Sequence, residues 1–523
     1  MKYHRRFRFS SSLLYGILNA IKCDDSLRRN CFMSNQPQQG TFKKDMRKMD
    51  IWALALGAII GWGCFVMPGT TFLPKAGPSA IIGLLLGGCV MSVIAFSYGY
   101  CIQKYPLTGG EFIYADAAFG KKHAFACGWM IVLGYWSLIP LNSTAIGIIT
   151  RYLIPGVFQF GKLYTVAGWD VYLGEVLLSS AFIVILGYMN VKGVKSAGWF
   201  QTTVAVALSA SVLFCLIGVI MAKPDLSNLQ PFYAEMVQGA VREQEALSCI
   251  IAIACYAPYC FVGFDCIPQA AEEYNFSHKA ALSLMIGAIM VGAVIYAAMV
   301  FCTAVIAPWD TMVTGDATWA TGAAVAATVG DVGLLFLGIA MLCAVLSGMN
   351  AFYLAASRLL YSMSYADALP AAFGTLHPRY GTPAKATYFL LLISLVCPWF
   401  GRPSLNWIVD ITCVGAAVGF TYTCAAATMM AKKEGLDKQI TISSWGTVLS
   451  AILIIFSIVP ESPGSLSTQS LIILFVWITL GILFWFRIKD NFLHGKWEGM
   501  NVETILMSKM SQSNTSADSN QPQ

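Results

Sequence analysis

Gly57-Ala58-Ile59-Ile60-Gly61-Trp62-Gly63-Cys64-Phe65-Val66-Met67-Pro68-Gly69 sits inside an apolar run from about Ile51 to Leu73. Roughly 20 apolar residues are enough for a helix to cross a bilayer. Three glycines within seven residues weaken that helix, each by about 1 kcal/mol relative to alanine. Hydrocarbon offers no partner to a freed backbone group, so a break is tolerable only where it lines a protected cavity. There the bare N–H and C=O groups become ligands. One reading is therefore a discontinuous first helix whose second half, from near Gly61, aims its positive N-terminal end at a small anion such as a carboxylate. The other is a continuous membrane helix whose glycines admit a close neighbour. Taken alone, the stretch supports both.

Outward from it, the 523 residues are 57% hydrophobic and only 11% charged, against about 25% charge in globular chains, which indicates an integral membrane protein. Apolar segments recur at about 51–73, 77–101, 124–150, 172–190, 197–222, 246–270, 281–307, 331–362, 385–400, 404–431, 441–460 and 468–487. They are too long and too apolar for transmembrane strands. The expected fold is all-α with twelve transmembrane helices. With a cytoplasmic N-terminus, the outer loops hold only Lys75, Arg151, Lys162, Lys223, Arg242 and Arg402, and 27 of the 33 basic residues fall inside. Both termini are thus expected in the cytoplasm. The net charge of +6 follows from that topology and requires no nucleic acid.

Sixteen cysteines lie almost wholly within the spans, without a CxxC spacing, and read as small packing residues. No His-Glu cluster, phosphate-cradling glycine loop with lysine, or nucleophile elbow is present, so catalysis, ATP hydrolysis, a cofactor and a bound metal have no support. Residues 1–49 form a basic N-terminal segment expected to be disordered, with Met33 an alternative start. Residues 11–21 are too short to span and lack a signal-peptide cleavage site. From 488 to 523 a polar tail is expected.

The sixth segment is a second interrupted helix. In Cys255-Tyr256-Ala257-Pro258-Tyr259-Cys260-Phe261-Val262-Gly263-Phe264-Asp265, Pro258 removes a donor, Gly263 frees the backbone, and Asp265 is an acid at membrane depth. Interrupted helices at corresponding positions of two halves point to a transporter site. The first and sixth segments stand five apart, as first members of two five-helix repeats, 50–222 and 246–431, with 441–487 supplying two more spans.

Four motifs in order resemble the amino acid–polyamine–organocation permeases over roughly residues 50–487. They are Gly57 to Phe65; Tyr105-Pro106-Leu107-Thr108-Gly109-Gly110-Glu111 running on to Gly120; Phe261 to Asp265 with Ala271-Glu272-Glu273; and Ser357-Arg358-Leu359-Leu360-Tyr361-Ser362-Met363 with Leu369-Pro370 and Gly381-Thr382-Pro383. The resemblance implies a LeuT-like 5+5 inverted repeat and a secondary transporter of amino acids or amines in the inner membrane, working by exchange or proton coupling, as a monomer or homodimer. It implies a substrate carboxylate on the N–H groups of Gly61, Trp62 and Gly63, and an ammonium on the carbonyls of Ile59 and Val262 beside Gly263. Tyr259 would close over the substrate, and Leu138, Ile139, Ser143 and Phe352 would line the side-chain pocket. Glu111, Asp265 and Arg358 are the expected gating or coupling charges, with Asp265 and Arg358 paired. The loop from Tyr105 reads either as a bland turn or as a short amphipathic lid. Glu175, Asp331 and Asp410 are expected to be wetted. The chain departs from the family in having Asn275-Phe276 where Asn-Pro is common, and no lysine between Gly198 and Met221, the corresponding position being near Ala207. That absence argues for antiport. A non-transporting sensor with the same fold is the alternative from another class.

Overall fold

A computed structural model describes residues 42–494 apart from 167, 315–318, 460, 461, 463 and 464, together with Thr504; the side chains of 194–197, 402–406, 408, 409 and 494 also lie outside the description. The expectations for residues 1–41 and most of the polar tail fall outside it. Among the described residues nine helices are long and apolar enough to cross a membrane, and no barrel is formed. This is a helical, multi-pass membrane protein.

Helix α1, Lys48–Ile59, stops within the glycine stretch, and α2 resumes at Gly63–Met67, continuing through a π-helical turn, Pro68–Phe72, and a short turn, Leu73–Ala76. Next come α3, Ala80–Lys104, and α4, Glu111–Phe119, the loop helix. Its face Glu111–Asp116 is buried, so it is packed into the protein and does not lie loosely over it as a lid. Then α5, Lys121–Leu153, α6, Leu173–Lys192, and α7, Val194–Met221, follow. The sixth segment is three pieces: α8, Ala246–Ala254, α9, Ala257–Phe261, and α10, Cys266–Gln269. It is followed by α11, Ala281–Ala304, α12, Trp309–Thr314, and α13, Ala320–Tyr365, whose Gly330 at φ 72° divides a short outer arm from the spanning part. Helices α14, Ala384–Ser394, α15, Arg402–Glu434, α16, Asp437–Ile458, and α17, Thr468–His494, complete the chain, so the expected tail begins as helix.

Two connections form antiparallel hairpins that the apolar pattern does not reveal. Strands β1, Lys162–Val166, and β2, Trp169–Tyr172, pair before α6; β3, Ala234–Val237, and β4, Ala240–Glu243, pair before α8. The second turns through Gln238 (φ 51°) and Gly239 (φ 81°), the left-handed pair of a two-residue turn whose twist suits a hairpin. Helix alternation puts both hairpins at one end of the molecule.

At the opposite end, residues 42–47 are packed in place, contrary to the disorder expected up to residue 49. The Phe42 ring meets Tyr361 edge-on at 5.2 Å. Met46 is buried and exchanges backbone bonds with Glu273 and Asn275, at 3.0 and 3.1 Å. Buried apolar side chains and two backbone bonds offset the entropy of ordering this segment.

Large apolar side chains remain exposed on α7 (Val206, Leu213, Ile217, Ile220) and α17 (Phe475, Ile482, Leu483, Phe486). Patches of that extent suit a hydrocarbon solvent rather than water.

Candidate functional site

The two interrupted segments meet at their breaks. Beyond Ile59 the backbone leaves helical geometry at Ile60 (φ −91°, ψ 83°), and Gly61 N–H turns back onto the Ile59 carbonyl at 3.2 Å. Helical bonding restarts with Cys64 N–H donating to Gly61 and Phe65 and Val66 N–H to Trp62. The first N–H groups of a helix lack partners within it, so this restart presents donors to the break.

Across from it, α9 ends at Val262, Gly263 takes φ 128°, and Asp265 Oδ1 accepts from the Gly263 N–H at 2.6 Å. A Cβ on Gly263 would overlap that of Ala58 and stand 2.9 Å from the Ile59 nitrogen. Only glycine permits this approach, which seats the sixth break against the end of α1. Tyr259 covers the restart: a Cβ on Gly63 would lie 3.3 Å from its hydroxyl. Gly263 thus lies against the end of α1, and Tyr259 against the restart at Gly63.

The other expected residues are placed as follows. The Ile59 carbonyl is already engaged, accepting from Gly61 N–H and from the Tyr296 hydroxyl at 3.3 Å. Leu138, Ile139 and Phe352 are buried on α5 and α13, with the Phe352 ring 6.2 Å from Tyr135. Ser143 donates its hydroxyl to the Pro140 carbonyl of its own helix at 2.7 Å. One residue the sequence reading passed over stands beside the break. Asn142, buried on α5, has its Oδ1 3.4 Å from a Cβ built on Gly61 and on Gly348. A lone asparagine in an apolar helix carries no spacing that would single it out.

The expected pair of Asp265 and Arg358 does not form. Arg358 instead forks onto Glu273, Nε to Oε1 at 2.7 Å and Nη2 to Oε2 at 3.3 Å, both side chains fully buried. The 3-10 turn Ala271–Glu273 brings this carboxylate back toward α13, and a planar guanidinium prefers such a two-pronged acceptor. Asp265 is held by Tyr135, whose hydroxyl lies 3.0 Å from Oδ2. The same hydroxyl lies 3.3 Å from Glu111 Oε1, which also accepts from Tyr98, while Glu111 Oε2 accepts from Gln269 Nε2 at 2.6 Å. One hydroxyl carries one proton, so it cannot donate to two carboxylates at once. Burial first, and the Asp265 carboxylate second, raise the Glu111 pKa above the usual range. Glu272 is raised to about 7, mainly by burial, although Thr108 N–H donates to it at 2.9 Å.

The fifth span faces α1 through Gln201, not Ala207, which is half-exposed. Gln201 Nε2 donates to the Ala53 carbonyl (3.1 Å) and Ser347 (2.5 Å), Asn350 donates to Gln201 Oε1 (2.7 Å), and Asn190 donates to Asn350 (2.8 Å). A neutral chain thus links α6, α7, α13 and α1. At the hairpin end Glu175 is buried and not wetted, forked by Arg151 at 2.5 and 2.7 Å, with the guanidinium 3.9 Å from the Trp169 ring centre. Asp331 is exposed, while Asp410 is partly buried and accepts from Ser470 at 2.9 Å.

A family profile described as amino acid permease matches residues 49–484. The chain belongs to that family. This permease is a transporter and not an enzyme. It is similar to the methylthioribose transporter of Bacillus subtilis, 25% identical over 77% of this chain and 84% of the relative. It is also similar to the branched-chain amino acid permease of the same organism, 22% over 85% and 93%, and to the L-asparagine permease of Salmonella typhimurium, 22% over 87% and 90%.

Proposed function

We propose that the permease is a secondary active transporter of neutral amino acids, working by alternating access. It would carry twelve spans in a LeuT-like 5+5 inverted repeat, in the inner membrane, with both termini in the cytoplasm. The observation that carries this reading is the seating of the sixth break on the end of α1, with Tyr259 over the restart at Gly63. The carboxylate of the substrate meets the N–H groups of Trp62 and Gly63, and that of Gly61 once it leaves the Ile59 carbonyl, where a helix start favours negative charge. Tyr259 closes over it. The side chains expected to line the pocket, Leu138, Ile139, Ser143 and Phe352, are uncharged, which suits a neutral substrate, since a buried charge without a partner is costly.

Closure at the Glu111 end is coupled to a proton or a counter-substrate through Glu111, Tyr135 and Asp265. Arg358 belongs to the same closure through its fork with Glu273. Uptake of labelled leucine, asparagine and arginine into proteoliposomes, with or without unlabelled amino acid inside, tests the reading. Uptake that requires internal substrate establishes exchange. Uptake driven by a pH gradient alone establishes proton symport. No saturable flux of any of the three would remove the amino-acid reading and favour a sensor.

The likeness to the methylthioribose transporter favours a second reading, an uncharged solute lacking the α-amino and α-carboxyl groups. Methylthioribose that competes better than every amino acid would select it. Polyamine or modified-amine antiport would be selected by amines lacking a carboxylate that compete as well as amino acids do.

A further inference from the structure

The Oδ1 atom of Asn142 has no hydrogen-bond partner among the described residues, and the side chain is 2% exposed. Its other half is fixed: Nδ2 donates to the Leu138 carbonyl at 2.8 Å. A carbonyl can only accept, so the nitrogen must face Leu138 and the oxygen must face away from it. It faces the break. Apart from its chain neighbours, a Cβ built on Gly61 comes within 4 Å of one atom, Asn142 Oδ1, at 3.4 Å. Gly61 is therefore left uncovered by the neighbouring helices on that side, except for this unused acceptor.

Buried acceptors are rarely left empty, because an unmade hydrogen bond costs the desolvation of the group. The occupant must be a donor, which rules out a carboxylate at this spot. It must also be small, and it must arrive beside the N–H groups that would hold a carboxylate. An α-ammonium satisfies all three conditions. It carries three donors, and the Ile59 carbonyl is already bonded to Gly61 N–H and to Tyr296, so it needs a further acceptor.

We propose that Asn142 is a substrate-binding residue, its Oδ1 accepting a hydrogen bond from the α-ammonium of an amino acid bound at the first-helix break. This rests on the amino-acid reading given above. It makes Asn142 the side chain that separates amino acids from carboxylic acids of the same shape.

The test uses the full-length protein in proteoliposomes, with labelled leucine as the probe. The competitors are 3-methylbutylamine, which keeps the amine, and 4-methylpentanoate, which lacks it. Asn142→Leu retains the volume and removes the acceptor. The expected result is a KM for leucine raised about tenfold or more, weaker competition by the amine to the same degree, and unchanged competition by the acid. An unchanged leucine KM would mean that the space holds only water, and would overturn the proposal. Equal loss for amine and acid would also overturn it, as a packing effect. Should Asn142→Leu fail to elute as a folded protein, Asn142→Asp keeps an acceptor in place. Leucine should then raise its melting temperature at least as much as it raises that of the unaltered protein, and a smaller rise overturns the proposal. If the unaltered protein transports none of leucine, asparagine and arginine, the amino-acid reading falls and this inference falls with it. Normal leucine transport in both proteins removes the Asn142 role alone.

Discussion

Gly263 rests on Ala58 so closely that no side-chain carbon fits between them. At φ 128° its backbone is also in a region that other residues rarely adopt. Gly263→Ala is therefore expected to destabilise the protein by about 2–4 kcal/mol and to abolish transport. Thermal unfolding in detergent, followed by size-exclusion recovery, measures the first effect. Gly61→Ala provides the contrast, because its new methyl group meets only Asn142. It should unfold within about 1 kcal/mol of the unaltered protein while losing most of its substrate uptake.

The Arg358–Glu273 fork is fully buried, so removing one partner strands a charge away from water. Glu273→Gln should cost about 3–5 kcal/mol. The double change Arg358→Met with Glu273→Met should recover much of that loss, because no lone charge remains. Asp265→Asn, which keeps Tyr135 as a partner, should cost less than Glu273→Gln. Melting temperatures of the four proteins in one detergent decide the order.

Glu272 should give the permease a measurable dependence of stability on pH. Its folded pKa of about 7 lies above the usual 4.5, so the folded protein holds a proton that the unfolded chain has released. The stabilisation is complete below the unfolded value and disappears as pH rises through about 7, so the melting temperature should fall between pH 5 and pH 8. Glu111 adds a contribution of the same sign. Glu272→Gln should flatten part of the slope, and an unchanged slope would show that Glu272 does not titrate in this range.

The neutral chain through Gln201 gives a separate prediction. Gln201→Leu leaves Asn350 and Ser347 each short of one bond and should cost about 1–3 kcal/mol. Asn190→Ala, at the end of the chain, should cost less. A Gln201→Leu protein as stable as the unaltered one would mean that water replaces the lost bonds.

The breaks were legible in sequence because glycine and proline act on the backbone itself. Gly61 and Gly63 mark where α1 stops and α2 begins, and Gly263 marks the end of α9. Charges were legible as residues but not as pairs. Arg358 and Glu273 both lie in the quoted motifs, yet their meeting depends on the turn Ala271–Glu273, which no local pattern specifies. Asn142 and Gln201 were invisible for a related reason: one amide in an apolar helix looks the same whether it packs, binds or faces lipid. The hairpins carry no apolar length to mark them, although Gln238-Gly239 is a two-residue turn signal.

The first and sixth segments touch at their breaks, and the chain flanking them is tied together at both ends. Near the hairpins, Ser79 N–H donates to the Phe232 carbonyl just before β3. In the middle, Gly263 lies on Ala58. At the far end, Met46 is stitched to Glu273 and Asn275. A plank nailed at three points does not hinge between its nails. Under the alternating-access reading, both broken helices would move as a single lever, sliding on the helices packed against them, α3, α7, α11 and α13.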